Sequence, residues 1–185
     1  MSIVVEHRSR QPESLAKRYP NAHILDVTSR GAQPWVKFSP FYPHGNIPVP
    51  LSSGTTAASV EGIWQGLKVF AHADIDVTAF TNTTMVRLKR TTRAYGPVRG
   101  HRAGVSGTTL LPYRDARYQI YLPAYRWVLD HCLQAELEQL QHLSQSQTVV
   151  LLDYETNADI ENLTKPLSHA ALIVKYLSNQ WPDPQ

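Results

Sequence analysis

The sequence predicts a compact, single α/β (α+β) domain with helices packed around a small sheet, and three observations carry that expectation. The N-terminal run Ser2–Glu6, the stretch Gln11–Arg18 and the run His23–Val27 read as strand, helix and strand. Val60, Ile63, Trp64, Leu67 and Ala71 recur at helical spacing. Thr148–Asp153 is a continuous apolar run of strand length, as expected of a strand buried on both faces.

Taken in order, Ser2–Glu6 is β-branched, and Pro12 falls in the first turn of the helix Gln11–Arg18, where its missing N–H is harmless. The link to His23–Val27 is short enough that the two strands need not be parallel neighbours. Prolines 34, 40, 43, 48 and 50 forbid a long regular element between Pro34 and Pro50, so a shaped loop is expected. Thr55 or Thr56 is positioned to cap a helix running to about Phe70. Asp74–Phe80 reads as a brief strand and Thr84–Thr92 as a short helix, after which Gly96, Gly100, Gly104 and Gly107 mark a flexible or tightly turned connection. A helix is expected over Tyr113–Leu133 with a break near Pro123, and Glu136–Leu143 either continues it or forms a separate turn. The last helix is expected from Pro166 to Leu177, with 181–185 as a tail.

A chain of 185 residues, 42% hydrophobic and 18% charged, is long enough to bury a core and far from disordered composition. Cys132 is the single cysteine, which excludes an internal disulfide and fits a reducing compartment, so a cytoplasmic protein is expected. The N-terminal apolar run ends at Glu6, too soon for a signal peptide or membrane helix, and no membrane partner is expected. Net charge is only +3, yet no carboxylate stands between Asp76 and Asp115, where Arg87, Lys89, Arg90, Arg93, Arg99, Arg102 and Arg114 all fall. That asymmetry suits an anionic partner.

On the expected helix, Glu61, Gln65, Lys68 and His72 stand at offsets that place them in one polar stripe beside the apolar one. Such a stripe is more often a solvated helix face. Two details add weight to a site. Gly62 and Gly66 weaken a helix by roughly 1 kcal/mol each relative to alanine, a cost explained if backbone or ligand approaches closely. Upstream, Trp35-Val-Lys-Phe-Ser-Pro-Phe-Tyr-Pro-His-Gly-Asn supplies flat rings and the polar tip of His44, and with Trp64 these suit the walls of a small-molecule pocket.

The pairing of Phe38-Ser-Pro-Phe-Tyr-Pro with Ser59-Val-Glu-Gly-Ile-Trp-Gln-Gly-Leu-Lys-Val-Phe resembles the NADAR superfamily, whose pattern is an "SNFYP"-type aromatic loop followed by an "SVEH–Q–K" helix. The resemblance implies a compact, helix-rich α/β fold and hydrolysis of an N-glycosidic bond in a phosphorylated or ADP-ribosylated ribosyl substrate, either a small molecule or an adduct. It also implies Glu61 as the catalytic carboxylate, Gln65 and Lys68 as its neighbours, and Phe38, Phe41 and Tyr42 as walls. Gly62 stands where that family has histidine, and Ile47-Pro-Val-Pro lies between the two motifs as an insertion. The chemistry fits the residue types: cleaving a ribosyl C–N bond passes through an oxocarbenium-like state that a carboxylate stabilises, or attacks through a water that the carboxylate activates. Lys68 or an arginine such as Arg99 or Arg102 is suited to a substrate phosphate.

Other residues are weighed beside this core. Asp153 ends a buried strand, where open α/β sheets place functional groups, and it counts as a third catalytic candidate beside Glu61 and Lys68, with Asn157 and His169 as substrate contacts. A lone histidine such as His169 is more often a hydrogen-bonded structural residue. Arg114 and Arg117 with Tyr113, Tyr118, Tyr121 and Tyr125 suit a pocket lining, although tyrosines so spaced usually pack. The eight histidines form no His-x-x-x-His pair, so no metal site and no cofactor is expected. No P-loop, dinucleotide fingerprint or nucleophile elbow is present. The alternative function is a non-catalytic binding protein that takes nucleic acid or a phosphorylated ligand on residues 87–102.

Overall fold

The computed structural model describes residues 2–182, so 183–185 of the expected tail lie outside the described residues. The strands are β1 (Ile3–His7), β2 (His23–Asp26), β3 (Ile47–Pro48), β4 (Thr56–Ala57), β5 (Lys68–Phe70), β6 (Val98–Arg102), β7 (Leu110–Leu111) and β8 (Val149–Asp153). The α-helices are α1 (Pro12–Arg18), α2 (Val60–Gly66), α3 (Thr92–Tyr95), α4 (Tyr113–Ala116), α5 (Leu122–Cys132), α6 (Gln134–Ser146) and α7 (His169–Leu177). The architecture is mixed α/β, and its contacts gather residues 2–39 with 133–182 into one compact unit and residues 40–132 into another. Among the described residues, no helix is long and apolar enough to cross a membrane.

The first unit is built on a parallel sheet of order β1-β8-β2. The chain from β1 through α1 to β2 therefore steps over β8, and the two N-terminal strands are not neighbours. Val149, Val150 and Leu151 of β8 are fully buried, and removing each such side chain from water contributes about 1.5–3 kcal/mol. Register places Val5, Leu151 and Leu25 on one face, and Glu6, Leu152 and Asp26 on the other. Helix α7 packs on β1 and β8, and α6 packs on β8. Helix α1 lies over the Glu6 face, where the Tyr19 hydroxyl donates to Glu6 Oε1 at 2.7 Å and Arg18 Nη1 stands 3.0 Å from the same oxygen. Arg10 Nε donates to the other oxygen. Burial alone would raise Glu6; Tyr19, Arg10 and Arg18 outweigh it and hold the carboxyl below its ordinary range.

The second unit holds an antiparallel sheet β5-β6-β7 and the short pair β3-β4. Here the structure corrects several expectations. Helix α2 is capped by Ser59, whose Oγ accepts from the Gly62 N–H at 3.0 Å, and not by Thr55 or Thr56. It ends at Gly66 rather than Phe70, so Lys68 stands on a strand. The reason lies far along the chain. The carbonyls of Gln65 and Lys68 accept from Arg90 Nη1 at 3.3 and 2.7 Å, that of Gly66 from the Asp76 N–H at 2.7 Å, and that of Leu67 from the Arg102 N–H at 2.8 Å. With its last carbonyls so occupied, the helix has none left to continue on.

Instead of the strand expected over Asp74–Phe80, a 3-10 helix forms over Val77–Thr81 and lies on α2. The close approach signalled by Gly62 and Gly66 is this segment and not a ligand: a Cβ on Gly62 would meet the Ala79 carbonyl oxygen at 2.6 Å, and one on Gly66 the Phe80 ring at 2.3 Å. No helix forms over Thr84–Thr92, because Met85 and Arg87 take left-handed φ values of 62° and 58°; the short α3 begins only at Thr92. Of the glycine-rich stretch after it, Gly100 lies within β6, while Gly96 and Gly104 take left-handed φ values of 77° and 84° in the turns on either side of that strand. Pro123 does not break the long helical segment. A π turn over Arg117–Tyr121 comes just before it, and that turn rearranges the carbonyls against which the proline ring would clash. In the first unit α6 is a separate helix, and α7 starts at His169, three residues after Pro166.

Candidate functional site

In the second unit the first turn of α2 carries Glu61, whose own N–H donates to the Pro40 carbonyl at 2.8 Å and whose side chain is only 7% exposed. The i,i+4 spacing brings Gln65 beneath it, and Gln65 Nε2 donates to Glu61 Oε1 at 2.8 Å. That bond fixes the amide's orientation, so Gln65 Oε1 faces the other way and accepts from Lys68 Nζ and from the Arg90 N–H, both at 3.2 Å. Three of the four residues of the predicted stripe are thus one hydrogen-bonded relay, although the third stands on β5. His72 lies exposed beyond that strand and takes no part in the relay. Burial lowers the Lys68 ammonium below its ordinary value, the Glu61 carboxylate pulls the other way, and the cations Arg90 and Lys89 lower it further.

An aromatic group lies beside the relay. The Trp64 ring is 3.8 Å from His101, 5.6 Å from Tyr121 and 5.9 Å from Tyr113, and Lys68 Nζ stands 5.8 Å from its centroid. His101 is the direct partner of Lys68 in the β5–β6 register. It is 1% exposed, and neither ring nitrogen has a hydrogen-bond partner. Burial first, and Lys68 second, push its pKa down to about 3, so the imidazole is neutral. A buried donor left unmade destabilises by about 1–3 kcal/mol. Replacing His101 by phenylalanine is therefore expected to raise stability by about 1 kcal/mol or more, read as a higher urea midpoint at neutral pH.

The aromatic loop splits between the two units. Phe41, Tyr42 and His44 belong to the second, where Lys89 Nζ lies 5.7 Å over the Phe41 ring and the Tyr42 and His44 rings are 4.9 Å apart. Phe38 belongs to the first, fully buried in a 3-10 turn and stacked on Trp35 at 6.3 Å. Of the two arginines expected to meet a phosphate, Arg99 is exposed on β6, while Arg102 is committed to Asp74 at 2.5 Å and to the Gly107 carbonyl at 3.5 Å. Arg90 is equally committed, bridging the carbonyls of Gln65, Lys68 and Asp74 with its guanidinium 5.0 Å from the Phe70 ring.

Asp153, Asn157 and His169 lie in the first unit, and their bonds describe a scaffold. Asp153 Oδ2 accepts from the Ser168 hydroxyl at 2.8 Å and the Ala170 N–H at 3.2 Å, and lies 3.0 Å from His169 Nδ1, while Oδ1 accepts from the Tyr154 N–H at 2.7 Å. His169 Nε2 donates to the Val27 carbonyl at 2.8 Å. Both ring nitrogens thus face acceptors, which is the imidazolium's pattern. Burial would lower His169, but Asp153 and the Val27 carbonyl raise it. Burial would raise Asp153, yet His169, Ser168 and the Ala170 N–H bring it down to about 2. Asn157 Nδ2 donates to the carbonyls of Asn162 and Lys165 at 3.4 Å and ties that loop to itself. The catalytic role expected for Asp153 and the substrate contacts expected of Asn157 and His169 thus meet side chains already occupied within the protein.

The sequence does not single out His101, and it offers Arg90 only as one of the cations suited to an anionic partner, since each acts through a strand pairing or a return of the chain that no local pattern announces. Arg117, weighed only for a pocket lining, is 1% exposed with its guanidinium 4.4 Å from the Tyr113 ring. Among the described residues no three His, Cys, Asp or Glu side chains gather as a metal-binding group.

No curated protein and no solved structure matches the chain. A family model does match, over residues 7–173, under the description "Family of unknown function (DUF6939)". That span takes in α2, its relay, the whole of the second unit and most of the first, and the chain belongs to the DUF6939 family.

Proposed function

We propose that the chain is an N-glycosidase that hydrolyses the C–N bond of a phosphorylated or ADP-ribosylated ribosyl substrate, with Glu61 as its catalytic carboxylate. The observation that carries this reading is the burial of Glu61 with one oxygen held by Gln65, which fixes an anionic group in a sheltered place. A solvated helix face, the ordinary account of the stripe, does not bury its carboxylate. The likeness of the Phe38–Pro43 and Ser59–Phe70 motifs to the NADAR pattern supports the same reading.

In this chemistry Glu61 takes a proton from a water, the water oxygen bonds to the anomeric carbon, the C–N bond breaks with its electron pair going to the departing base, and the base then takes that proton from Glu61. The same carboxylate faces the positive charge that develops on the sugar ring. Gln65 keeps the reacting oxygen in place, and Lys68 supplies a cation for the substrate's phosphate or for the departing group. Trp64 and Tyr113 offer flat apolar surface for a base. The single cysteine, Cys132, fits a cytoplasmic location.

The competing reading, a nucleic-acid or phospholigand binder on residues 87–102, keeps the exposed Arg87, Lys89, Arg93 and Arg99 but loses Arg90 and Arg102 to internal bonds. The deciding experiment incubates the protein with ADP-ribose, ribosylated pyrimidine intermediates and ADP-ribosyl adducts, and follows the products by mass spectrometry. Release of free base or of a ribose phosphate is expected from at least one class. Intact substrates throughout would end the proposal.

A further inference from the structure

We propose a second ligand site, in the first unit and independent of the Glu61 chemistry, for a small organic anion with an apolar body. A cleft of about 520 Å³ runs along α1 from the β1–α1 turn to the α1–β2 turn, a size within the range of small-molecule sites. Its apolar floor and wall are Ile24 and Leu152 of the sheet with Leu15 and Ala16 of the helix. A two-turn helix is too short to cover this face of a three-stranded sheet, and Ile24 remains 40% exposed. At one end the rim carries Arg8 and Arg10, just past the carboxyl end of β1, where open parallel sheets receive their ligands.

Charge selects the occupant. Arg8 donates through Nε to Asp26 Oδ2 at 2.7 Å, and Arg10 through Nε to Glu6. Asp26 is further satisfied through Oδ1 by the Thr28 N–H and hydroxyl, and Glu6 by Tyr19 and Arg18. Three guanidiniums thus face two carboxylates, and each acid already has three donors around it. Among the described residues no acceptor meets the Nη ends of Arg8 or Arg10. A planar fork with two N–H groups on its outer edge takes a carboxylate or phosphate in two parallel bonds. The aliphatic floor then takes the ligand's body, so an inorganic ion alone leaves most of the cleft empty.

The test titrates the full chain with anilinonaphthalene sulfonate, a fluorescent organic anion with a flat apolar body, and then competes it with octanoate or with adenosine monophosphate. The dye is expected to bind with enhanced emission. Binding should weaken about tenfold or more in Arg8→Gln/Arg10→Gln, which loses the charged rim, and in Ala16→Trp, which fills the cleft. Displacement by octanoate would identify a carboxylate with an aliphatic body, and displacement by the nucleotide a phosphate with a ring. Circular dichroism confirms that each variant is folded, and Ile24→Lys serves should the tryptophan disturb α1. Dye binding that is absent from the native chain, or equal in every folded variant, overturns the proposal.

Discussion

Glu61→Gln is expected to lower kcat on a ribosylated substrate by about 10²–10⁴-fold, the usual contribution of a positioned acid–base group. The substitution keeps the shape of the side chain and removes its charge and its capacity to take a proton. Gln65 Nε2 donates to Glu61 Oε1, and the amide oxygen of a glutamine at position 61 accepts the same bond, so the relay through Gln65 to Lys68 survives. The Lys68 ammonium loses the attraction of the carboxylate, so a modest fall in melting temperature is expected with the fold retained, while KM should change little, because the substrate's phosphate and base are held by other groups. Steady-state kinetics beside thermal unfolding separate the two effects. A glutamine variant with full kcat removes Glu61 from the chemistry, and one that is inactive only because it is unfolded leaves its expected thermal profile unmet.

The second large effect falls on stability and comes from the Asp153–His169 pair. Asp153→Ala removes one partner of a buried pair and leaves an imidazolium against the Val27 carbonyl alone, together with the Ser168 hydroxyl and the Ala170 N–H at the start of α7. Breaking such a pair is expected to destabilise by about 3–5 kcal/mol. The pair also sets a pH profile. Asp153 titrates at about 2 in the folded chain against an ordinary 3.8. Its stabilisation of about 2 kcal/mol is therefore present above pH ~4 and fades as pH falls toward 2. His169 is raised above its ordinary 6.5, so its contribution is full below that value and is lost as pH rises through the raised one. Stability from this pair is greatest between about pH 4 and 6.5. Urea midpoints across pH for the native chain and Asp153→Asn should differ by both limbs, while the acid dependence that Glu6 and His101 contribute is common to the two. Parallel curves would mean that the pair does not couple to folding.

The parts of the fold that could be read from the sequence are those set by local pattern. Strand β8 announces itself because a buried parallel strand needs apolar residues on both faces, and α1 because Pro12 suits a first turn. That β8, from the far end of the chain, lies between β1 and β2 is not local information, and nothing in either run specifies it. The end of α2 was illegible for the same reason. Helical periodicity continues through Phe70, but Arg90 and the Arg102 N–H, more than twenty residues downstream, take the carbonyls that would have carried the helix on.

In the candidate site, Glu61 and Gln65 were legible because i and i+4 on a helix must meet, whatever surrounds them. Lys68 joined them by another route, through the strand that follows. His101 could not be placed, since only the β5–β6 register sets it opposite Lys68 and against Trp64. The two glycines of α2 signalled a close approach correctly, but glycine marks where something comes near and not what it is. Asp153 and His169 show the opposite limit: the end of a buried strand attracts a functional reading, while four hydrogen-bonding partners around one carboxylate describe a clasp that starts α7.

The most direct measurement of the central claim is hydrolysis in oxygen-18 water, with the position of the label read by mass spectrometry. Attack of water at the anomeric carbon, assisted by Glu61, predicts the label on the sugar's C1 hydroxyl and none in the released base or the phosphate. Label on phosphorus, or base release that leaves the sugar unlabelled, would contradict it.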